Sequence, residues 1–300
     1  MAFEETAKQD GPAAAEAAPP PAEWRDYVPQ DEAESTAVGT IKVLEKLHSP
    51  QLGNERDILV YLPPSYHRGR RRYPVLYMHD GQNLFDREMS FGEEWEVDQT
   101  LEEASSDGLE AIVVGIPNQG KERLNEYSPW HDRRHRQGGR GDAYLDFIVH
   151  TLKPIVDRDF RTRPERESTG VAGSSMGGLI SLYAFFRHPG VFGFAGVMSP
   201  ALWFAGGAVF PYVRERPFVP GRLYLDAGTG EGHELLHDVR RLKGMLEEKG
   251  YRLGRDLMFV VEMGGAHNER AWARRLRREL HFLLGVPVRS GSPPLRYSKL

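Results

Sequence analysis

The chain has 300 residues, 40% of them hydrophobic, no cysteine and a formal net charge of −4. That is enough chain for one large α/β domain. The absence of cysteine excludes disulfides and thiolate metal sites, the balanced charge speaks against a nucleic-acid surface, and no run approaches the roughly 18 apolar residues of a membrane span.

Residues 1–35 are rich in Ala, Pro and Glu and lack apolar periodicity, so a disordered tail is expected there. No basic segment followed by an apolar run opens the chain, which predicts no secretory leader and a cytoplasmic protein. From 36 to 286, strands and helices alternate. "RDILVYLPPSY" and "YPVLYMHD" read as strands, "EEWEVDQTLEEA" as a helix and "EAIVVGIPN" as a buried strand. "DAYLDFIVHTLKPIVDRDF" carries a helical stripe at Tyr144, Phe147, Ile148 and Leu152. "STGVAG" is a short strand, and "GGLISLYAFFRHPG" a helix stopped by Pro189 and Gly190. The strands "FGFAGVMSP", "GRLYLDAGT" and "LMFVVEMGG" and helices over 233–249 and 268–284 complete the series. Residues 287–300 read as a second tail, whose closing Ser298-Lys299-Leu300 matches a peroxisomal address by chance. Continuous apolar strands separated by amphipathic helices predict a mostly parallel central sheet covered on both faces. Ligands bind such sheets at the carboxyl ends of the strands.

One of those ends carries "VAGSSMGGL". The pattern G-x-S-x-G fits only when centred on Ser175, with Gly173 and Gly177 where a sharp strand-to-helix turn excludes side chains. A serine hydroxyl needs a base, and the base needs an orienting acid; in this type of fold the order is Ser, acid, His. His267, in "VVEMGGAHNERAW", follows a strand end and two glycines and is the base expected. His233 reads as a first-turn helix residue, while His188 and His281 sit in helices. The acid is chosen between Asp226, inside its strand, and Glu231, in the loop beyond, with loop position favouring Glu231. Two backbone N–H donors must meet the oxyanion. The N–H of Met176, after the nucleophile, is one; the N–H of Gln82, in the turn Gly81-Gln82-Asn83, is the other. His79 and Asp80 read as loop braces, and no ligand-like spacing predicts a metal.

The segments "YPVLYMHDGQNLFD", "GEEW", "VVGIPN", "EYSP", "GSSMGG", "SPALWF", "LDAGTGE" and "GGAHNERAW", in this order, resemble the putative-esterase family of α/β-hydrolases. Esterase D, siderophore esterases, and feruloyl and acetylxylan esterases are relatives in that family. The resemblance spans about residues 40 to 285. It implies an α/β-hydrolase fold, with Ser175, His267 and Glu231 as a triad and the Gln82 N–H as a donor. Some siderophore-esterase relatives work with a Ser-His dyad. The resemblance also implies that Trp203 lines the pocket, together with Asn83, Trp95, Asn118, Arg123 and Tyr127 from loops at the same sheet end. Packing or loop bracing is the alternative for each, and Arg123 could simply pair with Glu126.

The expected activity is carboxylic ester hydrolysis of a small-molecule ester through an acyl-enzyme, without cofactor, nucleic acid, membrane or large lid. An acyltransferase using the same triad, a siderophore trilactone esterase and, last, a non-catalytic binding protein are the alternatives. Oligomeric state is not legible in the sequence.

Overall fold

The alternation of apolar strands and amphipathic helices folds, in the computed structural model, into one nine-stranded sheet between two helical layers; residues 22–286 are described. In chain order the strands are β1 (Arg25–Asp26), β2 (Thr40–Ser49), β3 (Asn54–Leu62), β4 (Val75–His79), β5 (Ile112–Ile116), the small hairpin β6 (His131–Asp132) and β7 (Gln137–Gly138), β8 (Thr169–Ser174), β9 (Phe194–Met198), β10 (Arg222–Gly228) and β11 (Leu257–Glu262). The main sheet runs β1-β2-β3-β5-β4-β8-β9-β10-β11. From β5 to β11 every pair is parallel, and β1, β2 and β3 join antiparallel at one edge. This is the α/β-hydrolase fold.

Helices α1 (Val97–Ala104), α2 (Arg123–Glu126), α3 (Gly141–Phe147), α4 (Lys153–Asp159), α5 (Met176–Arg187), α6 (Phe204–Gly207), α7 (Val209–Glu215), α8 (His233–Lys249) and α9 (Glu269–Leu284) connect the strands. Side-chain alternation divides the core. Val75 and Tyr77 of β4 face the layer built by α3, α4, α5, α7 and α8, while Leu76 and Met78 face α1 and α9. Helix α5 is buried from Met176 through Phe186, as its almost wholly apolar sequence requires. The helix expected over 142–160 is interrupted by a π turn at Ile148–Leu152. Pro154 follows at the start of α4, where a missing N–H donor is tolerated.

Two expectations change. Strand β2 has no counterpart in the sequence reading. The stretch 22–35, expected as part of a loose tail, docks on the domain. There Trp24 packs edge-on against Phe160 at 4.9 Å and donates to Asp159. Arg25 and Asp26 pair with Val43 and Lys42 of β2. Tyr27 and Ser35 hydroxyls donate to Asp86 at 2.8 and 2.6 Å, and the N–H of Val38 donates to Asp98 at 2.7 Å. The segment is held by carboxylates 51 to 135 positions away, so its own composition carries no sign of order. The expectations for residues 1–21, for 287–300 and for Ser298-Lys299-Leu300 lie outside the described residues. No helix among the described residues is long and apolar enough to cross a membrane.

Candidate active site

Strand β8 ends at Ser174 and α5 begins at Met176, leaving Ser175 alone on the turn at φ 55° and ψ −119°. A non-glycine residue with positive φ is strained, and here the strain turns the hydroxyl out of the sheet end. Ser175 N–H donates to Met198 O, and Ser175 O accepts from Ala201 N–H, so the turn is fastened to the end of β9. A Cβ at Gly173 would lie 3.0 Å from the Gly177 backbone, which explains glycine at that position. Ser174, the other serine, is a buried strand residue.

His267 follows the turn after β11. Its Nδ1 lies 2.6 Å from Oε2 of Glu231, in the short turn after β10. The Glu231 side chain is 1% exposed and the His267 side chain 40%, so a sheltered carboxylate meets a ring that opens to solvent. Asp226 lies deeper, on β10 itself. It accepts the Ser199 N–H at 2.9 Å and pairs with Arg275 Nε at 2.9 Å, and it makes no contact with His267. Burial pushes the Asp226 carboxyl up to about 6, with Arg275 pulling in the opposite direction. His233 opens α8, and His281 of α9 bonds the carbonyl of Val286 just beyond the helix.

The loop after β4 forms the facing wall. Asp80 takes a left-handed conformation at φ 55°, and a Cβ on Gly81 would fall 2.4 Å from the backbone N of Ile116, so only glycine fits there. Asp80 braces the loop. It accepts a two-pronged pair from Arg123 (2.7 and 2.8 Å) and a bond from Asn118 Nδ2 (2.7 Å), and its N–H donates to the Tyr127 hydroxyl. Burial raises the Asp80 pKa, but the Arg123 charge and these hydrogen bonds outweigh it and leave the carboxyl below its ordinary value. The buried imidazole of His79, bonded to Tyr144, is pushed down to about 3 by loss of solvent. The side chain of Gln82 accepts from Asn118 N–H.

A cleft of about 410 Å³ brings together Ser175, His267, Gln82, Asn83, Trp95, Asn118 and Arg123. The Ser175 hydroxyl and the His267 ring face it without a hydrogen bond between them, a contact that in many hydrolases tightens only with substrate. Two of the sequence-expected pocket residues lie elsewhere. Tyr127 is fully buried and serves Asp80 from behind. Trp203, half exposed, lines a separate cleft with His233, Glu234, His237 and Asp238. Its ring packs against His135 at 5.4 Å and Phe204 at 5.9 Å. Arg123 pairs with Asp80 rather than Glu126, whose carboxylate is taken by the buried Arg56.

Four further residues of the cleft wall were not expected from the sequence: Phe91, Gly120, Glu269 and Trp272. Trp272 packs edge-on against His267 at 5.0 Å and lies tilted against Trp95 at 5.5 Å. Its signal was a large aromatic one and a half turns beyond the histidine. Glu269 accepts from Asn83 Nδ2, and burial raises its carboxyl above the ordinary value. Among the described residues, no group of three or more His, Asp or Glu side chains is arranged to hold a metal.

A family profile described as "Putative esterase" matches residues 49–283. The chain is 29% identical over 251 residues to the uncharacterized protein YbbA of Bacillus subtilis (strain 168), covering 80% of this chain and 96% of that one. Among solved structures, a ferulic acid esterase is similar with a TM-score of 0.64 at 21% identity, over 82% of this chain and 99% of the other. The enterobactin esterase FES from Shigella flexneri is similar with a TM-score of 0.66 at 18% identity, over 86% and 63%. At those identities the structural likeness speaks for the fold. The chain belongs to the putative-esterase family and is a carboxylic ester hydrolase.

Proposed function

We propose that this esterase cleaves its substrate with a Ser175-His267-Glu231 triad through a covalent acyl-enzyme. The observation that carries the reading is the 2.6 Å contact between His267 and the sheltered Glu231, at the mouth of the cleft that Ser175 enters from a strained turn.

An ionised carboxylate only accepts hydrogen bonds, so the proton in that contact sits on His267 Nδ1 and Nε2 is left free as a base. Ser175 Oγ attacks the ester carbonyl carbon and its proton passes to Nε2. The charge that builds on the carbonyl oxygen meets the backbone N–H groups of Met176 and Gln82. Glu231 stabilises the imidazolium. When the carbon–oxygen bond to the alcohol breaks, the alcohol leaves with the proton from Nε2. Water then gives a proton to Nε2, attacks the acyl carbon and frees the acid, and Ser175 recovers its proton.

The substrate class we infer is a small acyl, aryl or carbohydrate ester. Trp95, Phe91 and Trp272 offer flat apolar surface, and Asn83, Asn118 and Glu269 offer hydrogen bonds to a polar ring. One of the solved structures similar in fold, the enterobactin esterase FES, was solved in the presence of 2,3-dihydroxy-N-benzoyl-glycine, a compound with a flat ring of the kind this wall would take.

The test is p-nitrophenyl ester hydrolysis, acetyl to octanoyl, with fluorophosphonate labelling followed by mass spectrometry. Ser175→Ala is expected to lower turnover by at least about 10³-fold and abolish labelling, while Ser174→Ala keeps most of both. Label found on another residue, or turnover surviving in Ser175→Ala, would remove Ser175 as the nucleophile.

A further inference from the structure

The carboxylate of Glu231 is itself held by a second layer of groups that converge on one buried hydroxyl. Ser199 follows the end of β9 and is fully buried. Its Oγ has three neighbours within hydrogen-bond range: Trp272 Nε1 at 3.1 Å, Arg275 Nη2 at 3.0 Å and Glu231 Oε1 at 2.8 Å. Indole and guanidinium nitrogens can only donate. A hydroxyl accepts twice and donates once, so Trp272 and Arg275 fill both acceptor positions and leave the single hydrogen one destination. It must go to Glu231.

Glu231 Oε1 therefore receives the Ser199 hydroxyl together with the N–H of Gly228, while Oε2 receives His267. The same carboxylate has Arg275 Nη1 at 3.6 Å. Each hydrogen bond on it comes from a donor, and together they fix the orientation of the carboxylate. The backbone is also arranged to this end. Ser199 is held at φ 40°, a conformation that costs a non-glycine residue free energy, and its N–H is fastened to Asp226 Oδ1 at 2.9 Å. Asp226 is in turn held by Arg275 Nε at 2.9 Å. Trp272, besides donating to Ser199, packs against the His267 ring, so one side chain touches both ends of the relay.

We propose that Ser199 is a positioning residue for the reaction: its hydroxyl, saturated by Trp272 and Arg275, fixes the Glu231 carboxylate against His267 Nδ1. This rests on Glu231 being the acid partner of His267. Ser199 acts through Glu231 and does not touch substrate.

The experiment is a double-mutant cycle on the full-length chain, reading kcat and KM for p-nitrophenyl acetate in wild type, Ser199→Ala, Glu231→Gln and the double variant. A hydrogen bond to a charged group is lost, so Ser199→Ala is expected to lower kcat by about 10–100-fold with KM changed less than about threefold. In the Glu231→Gln background the same substitution is expected to change kcat by less than about threefold, because the group it positions is gone. Ser199→Gly, which removes the hydroxyl but suits φ 40°, is expected to match Ser199→Ala and separates the hydroxyl from backbone strain. Wild-type kcat in Ser199→Gly, or an equal loss in both backgrounds, overturns the proposal and leaves the triad reading standing. A Glu231→Gln enzyme with wild-type kcat overturns the triad reading, and this proposal with it.

Discussion

Two buried aspartates flank the cleft, each paired with an arginine, and their carboxyls move in opposite directions. Asp80 has Arg123 to itself in a two-pronged pair, and Asn118 adds a further bond. Its carboxyl lies below the ordinary value, even though burial alone would raise it. Asp226 shares Arg275 with Glu231 at 3.6 Å and Glu262 at 3.4 Å, and the buried Glu279 carboxyl faces the same pair. Its carboxyl is raised to about 6 by burial. Burial is common to both; the number of carboxylates per cation decides the sign. At the Asp80 side the protein keeps a rigid charged brace beneath the Gln82 turn. At the Asp226 side it keeps an acidic cluster with one cation, and Glu231, the member of that cluster richest in donors, faces His267.

The largest effect should come from breaking the exclusive pair. Asp80→Asn keeps the left-handed turn, which asparagine tolerates, but strands Arg123. Arg123 is about a quarter exposed, so the loss in chemical denaturation should be about 2–4 kcal/mol, below that of a fully buried pair. A loss under about 0.5 kcal/mol would mean that the brace is not a brace.

The pH dependence sharpens the contrast. A raised carboxyl is protonated in the native state where the unfolded chain has already lost its proton. Asp226 should therefore make stability fall as pH rises from about 4 to about 6, and level off above. Asp80, lowered, contributes stability that is present above its ordinary value of 3.8 and lost only as pH falls below it. Urea titrations at several pH values should show a fall between pH 4 and 6 in wild type that is shallower in Asp226→Asn, the remainder belonging to the other raised carboxyls, Asp98 among them. An unchanged slope in that variant would assign the fall to another group.

The smallest effect is expected from Glu279→Gln. Both carboxyl oxygens of Glu279 lack a hydrogen-bond partner among the described residues, and burial holds its pKa well above the ordinary value. Replacing it with glutamine should change stability by less than about 1 kcal/mol. A large gain would show that Glu279 is ionised and competes for Arg275.

Much of this was legible in the sequence, because strand and helix periodicity and the G-x-S-x-G turn are local patterns. The helices over 233–249 and 269–284 and all parallel strands follow from residues adjacent in the chain. The motif order raised Ser175, Glu231 and His267, which the structure draws to one sheet end. What sequence could not supply was direction. Trp203 follows the right strand, but its ring lies in another cleft, against His135, a residue 68 positions earlier in the chain. Tyr127 stands in the right loop, but its ring points inward. Ser199 and Arg275 are 76 positions apart, and nothing local marks them as neighbours. The segment 22–35 is ordered by Asp86, Glu88 and Asp159, residues outside any window that composition can judge.

The central claim is that Glu231, and not Asp226, serves His267. The direct measurement is kcat for ester hydrolysis in Glu231→Gln and Asp226→Asn, each verified as folded by its melting transition. Loss of the acid in other triads costs on the order of 10⁴ in turnover, and a fall of that order in Glu231→Gln with a much smaller one in Asp226→Asn is the predicted result. The reverse order, or near wild-type turnover in Glu231→Gln, would contradict it.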